Sequence, residues 1–149
     1  MESRDMSIFI VDDDEDDRLL IRNALLDVCS DTKLVFFSNG EDLLNDLIAL
    51  RDDKFPMFIL LDLNMPTMTG FDVLQALRAS DQLRCIPVLV LSGTNYESAI
   101  RECYGLGANA FMSKPTSFTE LTNMLAITHR FWSNTVRLPG AVGATTLLR

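Results

Sequence analysis

Phe58-Ile59-Leu60-Leu61-Asp62 is a short apolar run that stops at a carboxylate. Three other apolar runs also end on a polar residue. Ile8 to Val11 stops at Asp12 and Asp13, Val88 to Leu91 at Ser92, and Ala110 to Met112 runs through Ser113 to Lys114. Runs of this length, rich in β-branched and aromatic residues and separated by helix-length segments, predict buried parallel strands. Parallel strands share one carboxyl edge, which is where open α/β sheets bind ligands. Three carboxylates, a hydroxyl and an ammonium would then converge on one site from distant parts of the chain.

The intervening segments fit. Leu20, Ile21, Ala24, Leu25 and Val28 fall at helical spacing after Asp16 and Asp17. Leu34 to Phe37 predicts a further strand, and Ser38-Asn39-Gly40 turns the chain into a helix with Leu43, Leu44, Leu47 and Ile48 on one face. The loop from Met65 to Gly70 leads to a helix presenting Phe71, Leu74 and Leu77, with Gly70 expected to supply backbone freedom. Tyr96 to Tyr104 predicts a short, polar helix ahead of the turn at Gly105 and Gly107, and its weak apolar stripe implies marginal packing. Ser117 and Glu120 form a capping-box pattern before Phe118, Leu121 and Leu125, which mark the last helix. Strands alternating with helices through right-handed crossovers predict an α/β, doubly wound, five-stranded parallel sheet of order 2-1-3-4-5, with five helices on its two faces.

With 149 residues, 48% of them hydrophobic, the chain has material for one core, expected over residues 1–138. The stretch from Pro139 to Arg149 is rich in Gly and Ala, matches no helix or strand pattern, and is expected to be flexible or partner-bound. A formal charge of −8 argues against binding nucleic acid, whose phosphates call for Lys and Arg clusters. Cys29, Cys85 and Cys103 are odd in number and widely spaced, which suits reduced thiols acting as small core hydrophobes in a cytosol. There is no apolar leader at the start and no run of the ~18 residues a membrane span needs, so a soluble, cytoplasmic protein without membrane contact is expected.

Three crowded carboxylates repel one another unless a cation neutralises them. Oxygen ligands without His or Cys select hard ions, and Mg²⁺ commonly takes one or two carboxylates and keeps its other positions for water and phosphate oxygens. Asp13 and Asp62 are the expected direct ligands. A carboxylate nucleophile, a lysine, a hydroxyl and Mg²⁺ are the parts needed for phosphoryl transfer onto a carboxylate to form an acyl phosphate. Lys114 would pair with the equatorial oxygens, and Ser92 would donate a hydrogen bond to one of them.

The pair Asp12-Asp13, the stretch Asp62-Leu63-Asn64-Met65-Pro66 with Gly70, Ser92-Gly93 and Lys114-Pro115 together resemble the receiver domain of two-component response regulators, from Ser7 to about Thr128. The resemblance implies the flavodoxin-like receiver fold, Asp62 as phosphoacceptor, Mg²⁺ held by Asp13, Asp62 and the Asn64 backbone carbonyl, and Asp12 acting through a metal-bound water. It also implies a switch in which Ser92 is drawn toward the phosphoryl group and Phe111 turns inward behind it, reshaping the face of helix four, strand five and helix five. A cis Lys114-Pro115 bond is implied as well. The ending Phe131-Trp132-Ser133-Asn134-Thr135-Val136-Arg137-Leu138-Pro139, and the longer loop with Asp52, Asp53 and Lys54, are similar to stand-alone receivers that partner bacterial phytochrome histidine kinases. Partners so implied are a sensor histidine kinase, a downstream phosphotransfer protein and a second copy of the chain.

An aspartyl phosphatase of the haloacid-dehalogenase kind needs an acid two residues after its nucleophile, where this chain has Asn64. A flavodoxin-like FMN carrier needs a phosphate loop where Asp12 and Asp13 stand. A docking module working without phosphorylation would have no need of the Asp13, Asp62 and Lys114 set. Catalysis is therefore expected only in self-phosphorylation and slow dephosphorylation. Asp14, Glu15, Asp16 and Asp17 read as solvated or helix N-terminal charges. His129 is assigned no role and reads as exposed, the seven methionines read as core filling, and Phe131 with Trp132 reads as an anchor folding back on the domain or meeting another subunit.

Overall fold

The computed structural model describes residues 6–29 and 31–139. Five strands, β1 (Ser7–Val11), β2 (Lys33–Phe37), β3 (Phe58–Leu61), β4 (Val88–Ser92) and β5 (Ala110–Ser113), form one parallel sheet in the order β2-β1-β3-β4-β5. They alternate with α1 (Glu15–Val28), α2 (Gly40–Ala49), α3 (Gly70–Ala79), α4 (Glu97–Gly105) and α5 (Phe118–Arg130). The expected fold, strand order and helix count are thus observed. Among the described residues no helix is long and apolar enough to cross a membrane.

The central strands are apolar on both faces because each face has its own core. Phe9, Val11, Ile59, Leu61, Val88 and Val90 bury against Leu43 and Leu47 of α2, Leu74 and Leu77 of α3 and Cys103 of α4. Ile8, Ile10, Phe58, Leu60, Leu89 and Leu91 bury against Ile21, Ala24 and Leu25 of α1 and Leu121 and Leu125 of α5. Successive side chains on one strand enter opposite cores, so a slip of one residue would exchange the two sets. That constraint fixes the register, in which Val11 pairs with Leu61 and Leu61 with Val90.

Helix starts are set by side chains. Asp14 caps α1 by accepting from the N–H groups of Asp16 and Asp17, which confirms a helix-terminal role for part of the acidic run. The full capping box lies at α3, where Thr69 and Asp72 exchange bonds of 3.3 and 3.0 Å. At α5, Ser117 Oγ accepts from the Glu120 N–H at 3.1 Å, the Ser117 half of the expected box.

Several expectations need correction. The Lys114-Pro115 bond is trans, not cis. Trans is favoured by about 0.5–1 kcal/mol even before proline, and Lys114 already continues the β4 ladder through an N–H bond to the Ser92 carbonyl at 2.9 Å. Gly70 serves close approach rather than freedom of φ: a Cβ there would lie 2.4 Å from the Asp62 carbonyl oxygen and 2.7 Å from Leu63 Cα. Cys29 and Cys103 are buried as expected, but Cys85 is exposed. His129 is half-buried, with Nε2 3.0 Å from Thr32 Oγ1, and burial lowers its pKa. Trp132, in the turn Phe131–Thr135 that prolongs α5, folds back onto Phe58 with ring centroids 6.1 Å apart, the first of the two expected placements, while Phe131 stays exposed. The tail expected from Pro139 to Arg149 lies, Pro139 apart, outside the described residues.

Gly70 joins the start of α3 to the end of β3, so replacing it should disturb the strand that carries Asp62. The Gly70→Ala protein is expected to lose about 2 kcal/mol of stability in urea unfolding, because the contacts of the new methyl are backbone atoms that cannot step aside.

Candidate functional site

The carboxyl edge of the sheet is built by continuing its ladder. The Asp12 N–H donates to the Phe37 carbonyl at 3.1 Å, the Asp62 N–H to the Val11 carbonyl at 3.0 Å, and the Lys114 N–H to the Ser92 carbonyl at 2.9 Å. Backbone hydrogen bonds therefore place each residue. Asp12, Asp13 and Asp62 form a group whose carboxylate oxygens lie within 4.8 Å of one another. Asp12 and Asp62 are 2% and 6% exposed, so the repulsion between them is little screened by solvent, whereas Asp13 is exposed.

Lys114 comes from the far edge of the sheet to meet them. Its Nζ donates to Asp12 Oδ2 and Asp17 Oδ2, each at 2.8 Å, and lies 3.5 Å from Asp62 Oδ1. Burial disfavours the ammonium, but the bonds to Asp12 and Asp17 outweigh it and its pKa is raised. Burial is also the main cause that lifts Asp62 to about 6, with Lys114 pulling the other way and the charges of Asp12 and Asp13 adding to the rise. Asp12 is raised by burial too, against the opposing bonds from Lys114 and the Asp14 N–H. One ammonium thus does not fully compensate the cluster, and an all-oxygen donor set is what a hard divalent cation requires.

Ser92 is fully buried at the end of β4, its Oγ accepting from the Thr94 N–H at 3.1 Å. The Asn64 side-chain amide donates to the Thr94 hydroxyl and so ties the loop after β3 to the loop after β4. Phe111 lies beside Val90 in register, half-buried against the core on the α2, α3 and α4 side, and its N–H donates to the Tyr104 hydroxyl at 3.1 Å. Asp12, Asp13, Asp62 and Lys114 are therefore brought together as the strand pattern predicts, with Ser92 on the adjacent strand end. The strand pattern does not point to Asp17, Thr94 or Tyr104. In the sequence Asp17 reads as a solvated or helix N-terminal charge, and no spacing shows that a helix residue will meet a lysine 97 positions later.

Comparison with known proteins decides the family. The family model described as the response regulator receiver domain matches residues 8–126. The chain belongs to this family. Response regulator Rcp1 of Synechocystis sp. is 30% identical over 137 residues, covering 90% of this chain and 93% of Rcp1. The crystal structure of the phosphorylated cyanobacterial phytochrome response regulator RcpA superposes with a TM-score of 0.82 at 31% identity, over 91% of this chain and 99% of RcpA. The Mn²⁺-bound form of Rcp1 gives a TM-score of 0.79 at 29% identity, over 91% of this chain and 99% of that one. This receiver is thus similar along most of its length to stand-alone, phytochrome-associated response regulators, as the aromatic ending implied. Its acidic pocket is consistent with the Mg²⁺ binding of receiver domains.

A carboxylate lifted from 3.8 to about 6 binds a proton in the folded state that the unfolded chain has already lost. Metal-free stability should therefore fall as pH rises from about 4 to about 6, by up to about 3 kcal/mol from Asp62 alone. Mg²⁺ should raise the melting temperature at pH 7, and the gain should shrink as pH is lowered through 6, because protons then compete for the same oxygens. Thermal melts with and without Mg²⁺ across this range check both slopes.

Proposed function

We propose that this receiver accepts a phosphoryl group on Asp62 from a sensor histidine kinase and signals through altered protein contacts. The observation that carries the reading is a buried carboxylate at the end of β3, within 4.8 Å of two more and 3.5 Å from an ammonium. An Asp62 carboxylate oxygen attacks the phosphorus of the phosphohistidine, a P–O bond forms, and the P–N bond breaks with its electron pair leaving on the imidazole nitrogen. Lys114 holds charge on the equatorial oxygens, and the Ser92 hydroxyl donates to one of them. Asp13, Asp62 and the Asn64 backbone carbonyl would hold Mg²⁺, with Asp12 acting through a water, and the ion supplies neutralisation of the approaching phosphoryl charge. Catalytic work by the chain itself is confined to its own phosphorylation and slow dephosphorylation.

Output follows from packing. Ser92 fills a fully buried position on β4 and Phe111 a half-buried one on β5, so a shift of the serine toward the phosphoryl group opens space that the phenyl ring can enter. A nearly complete flip of this kind needs differential contacts of about 5.5 kcal/mol. The affected face of α4, β5 and α5 exposes Tyr104, Phe118 and Ile127, with Phe131 continuing from the end of α5. We assign it as the surface for a downstream phosphotransfer protein or a second copy of the chain. The similarity to RcpA and Rcp1 favours a bacterial phytochrome as the kinase and the cytoplasm as the setting.

Incubation with Mg²⁺ and acetyl phosphate should add one labile phosphoryl group by intact mass, lost in Asp62→Asn and without Mg²⁺. No gain under conditions that label another receiver would favour docking without phosphorylation. Light scattering with beryllofluoride is expected to show a dimer. A particle that remained monomeric at high concentration in both states would remove the self-association assignment.

A further inference from the structure

Lys114 makes its two short contacts with carboxylates other than Asp62. Of these, Asp12 belongs to the carboxylate trio, but Asp17 does not. Asp17 stands in the first turn of α1, where its own N–H donates to Asp14 Oδ1 at 3.1 Å and fixes its position. Asp17, Leu20, Leu91, Pro115 and Leu121 line, with Lys114 itself, a cavity of about 50 Å³, so the lysine has space beside it on this side.

We propose that Asp17 is a positioning residue that holds Lys114 off Asp62 in the resting protein and must yield it when the phosphoryl group arrives. The proposal rests on the phosphoacceptor reading above. An ammonium has three donors, and two are engaged by Asp12 and Asp17. The third faces Asp62 Oδ1 across 3.5 Å, too far for a short bond, so new phosphoryl oxygens on Asp62 have to draw Nζ toward them and lengthen one of those two contacts. Burial decides which is released: the Asp12 side chain is 2% exposed and would be left as an unpaired buried charge, whereas that of Asp17 is 36% exposed and is rehydrated when it lets go. Asp17 therefore competes with the phosphoryl group for Lys114 without holding the metal or touching the acceptor.

The test is the rate constant of labelling by acetyl phosphate with Mg²⁺, followed by intact mass. Asp17→Asn is expected to label about fivefold faster than wild type, and Asp17→Ser to change in the same direction. Its Mg²⁺ affinity should stay within about twofold of wild type, since the ion's ligands are intact. Asp16→Asn removes the same charge from the same helix turn without contacting Lys114 and should label as wild type does. In a Lys114→Gln background the Asp17→Asn acceleration should vanish. Unchanged labelling in both Asp17 variants would overturn the proposal, as would equal acceleration by Asp16→Asn or acceleration that survives without Lys114. If wild type takes no phosphoryl group the phosphoacceptor reading falls and this one with it, whereas labelling at an unaltered rate in the variants removes Asp17 alone.

Discussion

Mutual repulsion of the carboxylates at the ends of β1 and β3 is the constraint around which this molecule is arranged. Two of them are buried, and a buried charge without compensation is among the costliest things a small domain can hold. The nearest remedy is an ammonium that arrives from the edge strand β5, two positions from β3 and three from β1. Lys114 reaches Asp12 only because β5 lies beside β4, β4 beside β3 and β3 beside β1, so the strand order is a condition of the electrostatics. Raised pKa values at Asp12 and Asp62 show that the compensation is partial, which leaves the site with an appetite for further positive charge.

The loops that follow each strand are held as firmly as the strands. The Leu63 carbonyl accepts the Gly70 N–H at 2.9 Å, and α3 starts so close to Asp62 that only a hydrogen fits where a methyl would stand. Thr67 in the same loop has a positive φ of 68°, a conformation that a β-branched residue adopts only under constraint. At the other end of α3, Arg78 donates to the carbonyls of Gly107, Arg84 and Ile86 and to Asn109 Oδ1. Burial lowers its pKa, and backbone oxygens satisfy the guanidinium fork. The helix that begins after the Asp62 loop is thereby pinned at its far end to the turn before β5.

What could be read in the sequence was whatever depends on periodicity and on the direction of a strand. The apolar runs ending at Asp12, Asp62, Ser92 and Lys114 gave away the sheet and its edge because a parallel strand buried on both faces leaves no other pattern. Asp17 was invisible because first-turn carboxylates are ordinarily explained by the helix dipole, and that explanation is also true of this one. Tyr104 read as part of a weak helix, since nothing in a pattern of burial reveals that its hydroxyl accepts a bond from an edge strand. Gly70 was assigned backbone freedom because crowding by the Asp62 carbonyl exists only in three dimensions. The cis bond before Pro115 came from likeness to a family rather than from any force within this chain, and the trans form meets every contact Lys114 makes.

Hydrogen bonds connect the loop after β3 with β5, and a separate one ties β5 to α4. Asn64 donates to the Thr94 hydroxyl, the Thr94 N–H to Ser92 Oγ, and the Lys114 N–H to the Ser92 carbonyl. On β5 the Phe111 N–H meets Tyr104 at the end of α4. Edge strands carry an outward row of unpaired backbone groups, and here the tyrosine hydroxyl covers one of them at the residue assigned as the switch. Movement of Phe111 therefore either breaks that bond or carries the end of α4 with it. Both outcomes change the same exposed face, so in the proposed switch a displacement of Ser92 that moves Phe111 would reach the surface. Two discrete arrangements of a packed element, rather than gradual deformation, are what a close-packed core permits.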